Sequence, residues 1–504
     1  MGDSSSCDES RAEQPSMNEV LRAASKTGSG SALSMIFSAI ASKLIAVVLG
    51  PSGIGLYSIL AQVQQTATLG GTVGGGNALV QGIASKQDES RNAYLVTVFW
   101  IFLAGSLTVG ALLVLLAPLL APATIGENTP EVVGLIRWLA LPTVLAGMLA
   151  YLNGVLNGFR AIGRLAIVQA AGAGTVALLA YPVSNLVDTG YPVAFVALLS
   201  AQLGVSMLLA LGMALRSGWL RPFRNRGLRP MVEKNSAKHF LSIAVATLVV
   251  GLMATGTLLV VRSLIVQESG LEGAGIFNVA WTLGMTYPMV VLTSFGTYYL
   301  PTLCRTTDPG PKNELMMRVF RSSTFVMIPL VVMAIVLNPL IVGVLYSNQF
   351  LESLDTVRWM LIADYLKAAS WVFGMPMIAF ADMRTYVTVE SLWYAGFLGI
   401  AAFATLNLGS IEIIGFGFMV LYAVYLIYTA YYVRTRHGFV PPRKMAALWF
   451  AGLGMVALAS IQTWSETSVN WLTVSMWAVV VVVFSWITLS KRERGNIAKM
   501  LRLG

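Results

Sequence analysis

Apolar residues along this chain gather into long runs separated by short polar connections. The runs are too long for strands. Many reach the roughly 20 residues that a helix needs to cross the hydrocarbon core of a bilayer. Measured against that length, the pattern predicts fourteen spans, at about 31–50, 55–83, 93–121, 132–158, 165–187, 192–215, 240–266, 275–300, 319–346, 357–382, 386–406, 411–433, 445–463 and 470–490. The second span carries Gln62, Gln64, Gln65, Asn77 and Gln81. Unsatisfied polar groups are costly in lipid, so one face of it must meet protein or water. Gly70, Gly71, Gly74, Gly75 and Gly76 in the same span would let it pack closely or bend.

The connections alternate in charge. One set holds Lys86, Arg91, Arg160, Arg164, Arg305, Lys312, Arg384, Arg434, Arg436, Arg443 and Lys444, together with the basic cluster between Arg216 and Lys238. The other holds Glu127, Glu131, Asp188, Glu268, Glu272, Glu352, Asp355, Glu412 and Glu466. Cytosolic loops of membrane proteins carry the Lys and Arg excess. The basic set and both termini are therefore expected in the cytosol, which requires an even number of spans.

Composition agrees with this reading. Of 504 residues, 56% are apolar and 11% charged, and the net charge is +10. A soluble chain carries about 25% charged residues, so a string of soluble domains is excluded, and so is disorder. Most of the 33 Lys and Arg serve topology, and the positive balance is no nucleic-acid footprint. Cys7, Cys304, His239 and His437 are too few and too scattered for a disulfide framework, a metal site or His-based catalysis. No phosphate-binding loop of the G-x-x-x-x-G-K-[ST] kind occurs. The chain reads as a transporter without cofactor and without enzymatic activity, driven by an ion gradient, a substrate gradient or a partner.

An internal repeat sets the architecture. Gly50-Pro51-Ser52-Gly53-Ile54-Gly55-Leu56-Tyr57 recurs as Gly270-Leu271-Glu272-Gly273-Ala274-Gly275-Ile276-Phe277, 220 residues later. Glu131 with Arg137-Trp138-Leu139 recurs as Glu352 with Arg358-Trp359-Met360, at an offset of 221. A lone basic residue precedes each glycine motif, Lys43 and Arg262. Six spans per copy is an even number, so both copies share one orientation, as in parallel-repeat transporters. The expected fold is all-α and polytopic, with two six-helix lobes and two appended helices. Its expected parts are a polar cytosolic tail (1–30), an N-lobe (31–215), a basic linker (216–239), a C-lobe (240–433), and a terminal part (434–504) with the last two spans and a basic tail.

A charge at mid-bilayer costs about 2.5–3.5 kcal/mol and usually faces a cavity or a partner. The charges in or near spans are Lys43, Arg137, Arg262, Arg358, Asp364, Lys367, Asp382 and Glu390. The basic excess suits an anionic cargo, since the Arg fork matches phosphate. Arg137 and Arg358 read either as further anion-binding groups or as interfacial anchors beside Trp138 and Trp359. Asp364 and Lys367 read as a structural ion pair or as a gated pair. Glu390 reads as a proton carrier or a packing partner.

Several stretches resemble the Wzx-type lipid-linked oligosaccharide flippases, which include O-antigen translocases and lipid III flippases. These belong to the multidrug/oligosaccharidyl-lipid/polysaccharide exporter superfamily. The stretches are S-K-L-I-A-V-V-L-G-P-S-G-I-G-L around Lys43, Y-L-P-T-L-C-R at 299–305, L-Y-S-N-Q-F at 345–350, D-Y-L-K-A-A-S-W-V-F-G at 364–374, and T-V-E-S-L-W around Glu390. The likeness runs over about residues 20–435. One departure is Gln81, where the resemblance leads one to expect a basic residue.

The resemblance implies an undecaprenyl-pyrophosphate-linked oligosaccharide as substrate, moved across the bacterial inner membrane by rocking of the lobes, for assembly of O-antigen, common antigen or exopolysaccharide. It implies contact with membrane lipids and with polysaccharide polymerase or chain-length machinery. Lys43 and Arg262, with Arg137 and Arg358, would bind the anionic part, and Asp364, Lys367 and Glu390 would couple gating to protons. The alternative is a cation-coupled drug antiporter of the same superfamily, which would be expected to have an acidic cavity.

Overall fold

The computed structural model describes residues 17–86, 88–220, 233–306, 308–464 and 466–488, with side chains from residue 33 onward except at 88 and 297. Most of the expected tail, the linker core 221–232 and the basic residues after 488 lie outside the described residues.

The first long run, Met17–Gly71, is two helices joined without a loop. Gly50 has φ 62° and ψ −160°, a region essentially reserved for glycine. Pro51 opens the next helix, where its missing N–H costs nothing. This gives α1 (17–49) and α2 (51–71). A turn over 72–75, with Val73 and Gly74 at positive φ, bends α2 before it resumes as Gly76–Ser85. The second run, Lys234–Trp281, breaks in the same way at Gly270, with φ 66° and ψ −172°. It gives α7 (234–269) and α8 (271–281), and α8 continues through a π-helical turn, Thr282–Thr286, into Tyr287–Arg305. The matching sequence motifs thus produce matching kinks.

The other helices are α3 (Asp88–Ile125), α4 (Pro130–Trp138 with Ala140–Gly158), α5 (Ile162–Asp188) and α6 (Val193–Arg216). They are followed by α9 (Pro309–Val336 with Asn338–Leu345), α10 (Leu354–Ala379), α11 (Met383–Leu408), α12 (Ile411–His437), α13 (Arg443–Gln462) and α14 (Trp471–Thr488). Their ends follow local chemistry. Thr129 caps α4 by accepting from the Val132 N–H at 3.3 Å, with Pro130 in the first turn. Asp382 caps α11 through the Thr385 N–H and also accepts from Tyr432 at 3.0 Å.

Eleven helical runs are long and apolar enough to cross a membrane. Two of them, Leu33–Gly71 and Lys234–Arg305, each hold two crossings folded at a glycine kink. α10 is the remaining crossing, less apolar because Asp355, Arg358, Asp364 and Lys367 interrupt it. The described residues therefore hold fourteen crossings and no strand. Leu115, Leu178, Ile427 and Leu472 are exposed on the outer surface. Large apolar side chains exposed on many helices suit lipid and would promote aggregation in water. The molecule is a multi-pass membrane protein. Its kinks at 50 and 270 lie on the side of the acidic connections, the acidic face. The basic connections define the opposite, basic face.

The two kinked pairs meet at their tips. A Cβ on Gly55 would stand 1.9 Å from the Leu271 carbonyl oxygen, and one on Gly275 would stand 2.0 Å from that of Pro51. These contacts are reciprocal, because Leu271 and Gly275 are the repeat counterparts of Pro51 and Gly55. Each glycine presses on backbone, which cannot swing aside as a side chain can. Gly275→Val is therefore expected to lower the melting temperature in detergent, with overpacking costing about 1–3 kcal/mol or more. Gly134→Val, at a site with nothing within 4 Å of the added carbon, is the control. Equal melting of the two variants would contradict this contact.

Candidate functional site

Between the kinked pairs and α11 lies a cavity of about 370 Å³. α2 contributes Gln62 and Gln65, α7 contributes Thr255, Thr257, Leu258 and Arg262, and α8 contributes Trp281, Thr282, Met285 and Thr286. α11 closes it with Trp393, Tyr394 and Phe397. Gln62 and Gln65 are the repeat counterparts of Thr282 and Met285. The same helix face thus lines the cavity from both halves of the chain. Gln62 also ties the halves together, donating to the Thr255 carbonyl at 3.1 Å.

Arg262 is the one charged residue among the described lining residues. It is 5% exposed. One terminal nitrogen donates to Asn278 Oδ1 at 2.9 Å, while the buried Nε has no partner. A buried charged donor left unsatisfied is costly, and an anion in the cavity would supply the missing acceptor. Part of the wall is aromatic. Trp393 and Phe397 stack with centroids 5.6 Å apart, and Trp281 lies 5.7 Å from Phe397. Broad π faces beside amide and hydroxyl groups can take the apolar and polar sides of a sugar ring.

The other basic candidates lie elsewhere. Lys43 donates its ammonium to the carbonyls of Gly343, at 2.8 Å, and Tyr346, on the far half of the chain. Arg137 is exposed at the acidic face beside exposed Trp138. Arg358 is 1% exposed and bonded to protein. It pairs with Asp355 at 2.5 Å and donates to the carbonyls of Thr463, Trp464 and Glu466 at 2.6, 2.6 and 2.9 Å. These carbonyls lie just past the end of α13, which Arg358 fastens to α10.

The acidic candidates stand behind the cavity wall. Asp364 and Lys367 form a buried ion pair on α10. Lys367 also donates to Met285 Sδ at 3.2 Å, so the pair touches the lining through that side chain. Glu390 accepts from Tyr425 at 2.8 Å, one helical turn from Tyr394. Sequence reasoning missed Trp393, Thr255, Thr257 and Asn278. Carrying the polar face of α2 onto α8 through the repeat would have pointed to Thr282 and Thr286.

Residues 32–355, which include the α2, α7 and α8 walls of this cavity, match the family described as polysaccharide biosynthesis protein. The chain belongs to that family. Two curated relatives of this chain are the lipid III flippases of Escherichia coli (strain K12) and Shigella flexneri. Each is 28% identical over 367 residues, covering 69% of this chain and 82% of the relative. Among solved structures, the fold is shared with the lipid II flippase MurJ in an inward closed conformation. That match has TM-score 0.68 and 12% identity, over 95% of this chain and 100% of that one. It is also shared with an inward-facing multidrug resistance MATE family transporter of the MOP superfamily, with TM-score 0.64 and 14% identity, over 81% and 94%. At these identities the likeness to solved structures concerns the fold alone.

Proposed function

We propose that the protein is a flippase that carries an oligosaccharide linked to undecaprenyl pyrophosphate across the bacterial inner membrane. The observation that carries this reading is Arg262, a buried guanidinium with an unpartnered Nε in a cavity walled by aromatic rings and amides. An Arg fork suits a phosphate group, and the aromatic wall suits the sugars. The lipid III flippase relatives support a lipid-linked oligosaccharide as cargo.

In this reading the basic face and both termini are cytosolic. Residues 31–215 and 240–433 are two lobes that rock about their contact, and 434–504 is appended to the second. Arg262 holds the pyrophosphate or an acidic sugar. Lys43 reaches the anion only after its two carbonyl partners let go. Arg137 anchors the acidic face, and Arg358 fastens α13. Asp364, Lys367 and Glu390 couple proton or cation uptake to rocking, acting through Met285 and Tyr394. The translocated unit emerges on the acidic side, where a polymerase with its chain-length machinery takes it up.

Deletion with complementation tests the reading. In the deletion strain, lipid-linked repeat units are expected to accumulate on the cytosolic leaflet and surface glycan to be lost, with both restored by the intact gene. Unchanged surface glycan together with new drug sensitivity would replace this reading with drug antiport.

A further inference from the structure

Lys43 sits on α1 seven residues before the Gly50 kink and is partly buried. Its two acceptors end the short helix Asn338–Leu345 of α9. The last carbonyls of a helix lack intrahelical partners, and the negative end of the helix dipole attracts a cation. Lys43 meets both needs from 300 residues away in sequence. Two turns farther along α1, Gly50 lies under the Gln349 side chain, whose Oε1 would stand 2.7 Å from an added Cβ. The segment 343–349 thus grips α1 at two points near the acidic face.

The repeat supplies a looser counterpart of this grip, from a donor one helical turn closer to its kink. Ala123 lies within one residue of the counterpart of Gly343 at the repeat offsets of 220 and 221, and the Ala123 carbonyl accepts from Gln267 Nε2 at 3.2 Å. Gln267 lies on α7, three residues before the Gly270 kink. Each half therefore uses its kinked helix to hold the end of a helix in the other half. One hold is neutral and exposed. The other is charged and partly buried.

We infer that Lys43 is the charged latch of the acidic face: its bonds to Gly343 and Tyr346 keep the two halves closed there, and opening toward that side requires their release. Hydrogen bonds from a charged donor are the stronger kind, so the Lys43 side of the pair dominates the closed state. The inference rests on the rocking-lobe reading above and adds the element that sets its resting position.

Spin labels at positions 131 and 352 read the latch directly. Glu131 and Glu352 are exposed repeat counterparts on the acidic face, one in each half. They are replaced by labelled Cys in the full chain with Cys7 and Cys304 changed to Ser, in lipid nanodiscs. The parent is expected to give one short distance, and Lys43→Arg to keep it. Lys43→Met is expected to raise the open-to-closed ratio about tenfold, equivalent to about 1.4 kcal/mol. Should the methionine variant not fold, Lys43→Gln, which copies the neutral hold of Gln267, is expected to give a smaller shift in the same direction. An unchanged distance distribution in the folded neutral variant overturns the latch, even if that variant no longer flips lipid. A neutral variant that opens, in a protein whose parent moves no lipid-linked oligosaccharide in vesicles, upholds the latch and removes the flippase reading.

Discussion

Arg262→Ala is expected to reduce translocation of a lipid-linked oligosaccharide at least about 100-fold in reconstituted vesicles. Removing one partner of a buried charge pair costs about 3–5 kcal/mol, and 1.4 kcal/mol is a factor of ten. The protein should remain folded, because the side chain makes one bond to protein, with Asn278, and otherwise faces the cavity. Arg262→Lys is expected to keep part of the rate, since it retains charge but not the planar fork. The check is the fraction of glycan that becomes accessible to an enzyme outside the vesicle over time. A rate for Arg262→Ala within twofold of the parent would remove Arg262 from the transport step.

Arg358→Met is expected to have the largest effect on stability of any single change at a charged residue described above. It strips the acceptors of a guanidinium that reaches three carbonyls and Asp355 in one place. The cost is about 3–5 kcal/mol for breaking a buried charged network. The loss should be local, because these bonds join α10 to the segment after α13. The measurements are the unfolding midpoint in detergent and the rate of proteolysis between residues 463 and 470. An Arg358→Met protein that melts normally and resists protease, yet moves no substrate, would return Arg358 to the binding of cargo.

The contrast between Arg137 and Arg358 shows how far the sequence could be read. The two occupy equivalent places in the repeat, each followed by Trp, and their surroundings in sequence give them the same two readings. The structure leaves the first exposed and buries the second, because only the second half of the chain has α13 packed over that place. The carbonyl acceptors of Arg358 lie 105 to 108 residues downstream, beyond any local pattern. The fourteen crossings were legible because the length of an apolar run is a local property with a fixed physical threshold. The repeat was legible because the Gly-rich motif was written twice; that each copy makes a loop-free kink at its first glycine, where separate spans were expected, was not. The cavity was legible only in pieces. Gln62 and Gln65 stood out as amides in an apolar run, and Arg262 as a lone charge. Trp393 looked like any aromatic of a membrane helix until α11 was seen to close the wall.

The sequence distance between Lys43 and its acceptors also bears on how the protein is made. Lys43 is the one charged residue between Lys26 and Lys86, so this stretch of α1 and α2, folded at Gly50 with no loop, enters the bilayer as a hairpin with one ammonium to accommodate. The carbonyls that will receive it are encoded 300 residues later. At 5–20 residues per second, the ribosome needs about 15–60 s to reach them. Through that interval the ammonium depends on water or lipid phosphate near the acidic face, and the first hairpin is held less firmly than it will be. Its packing against α5, α7 and α8 comes first, and the tie at Lys43 is completed only when α9 arrives, so the last fastening of the first hairpin waits for the second half of the chain.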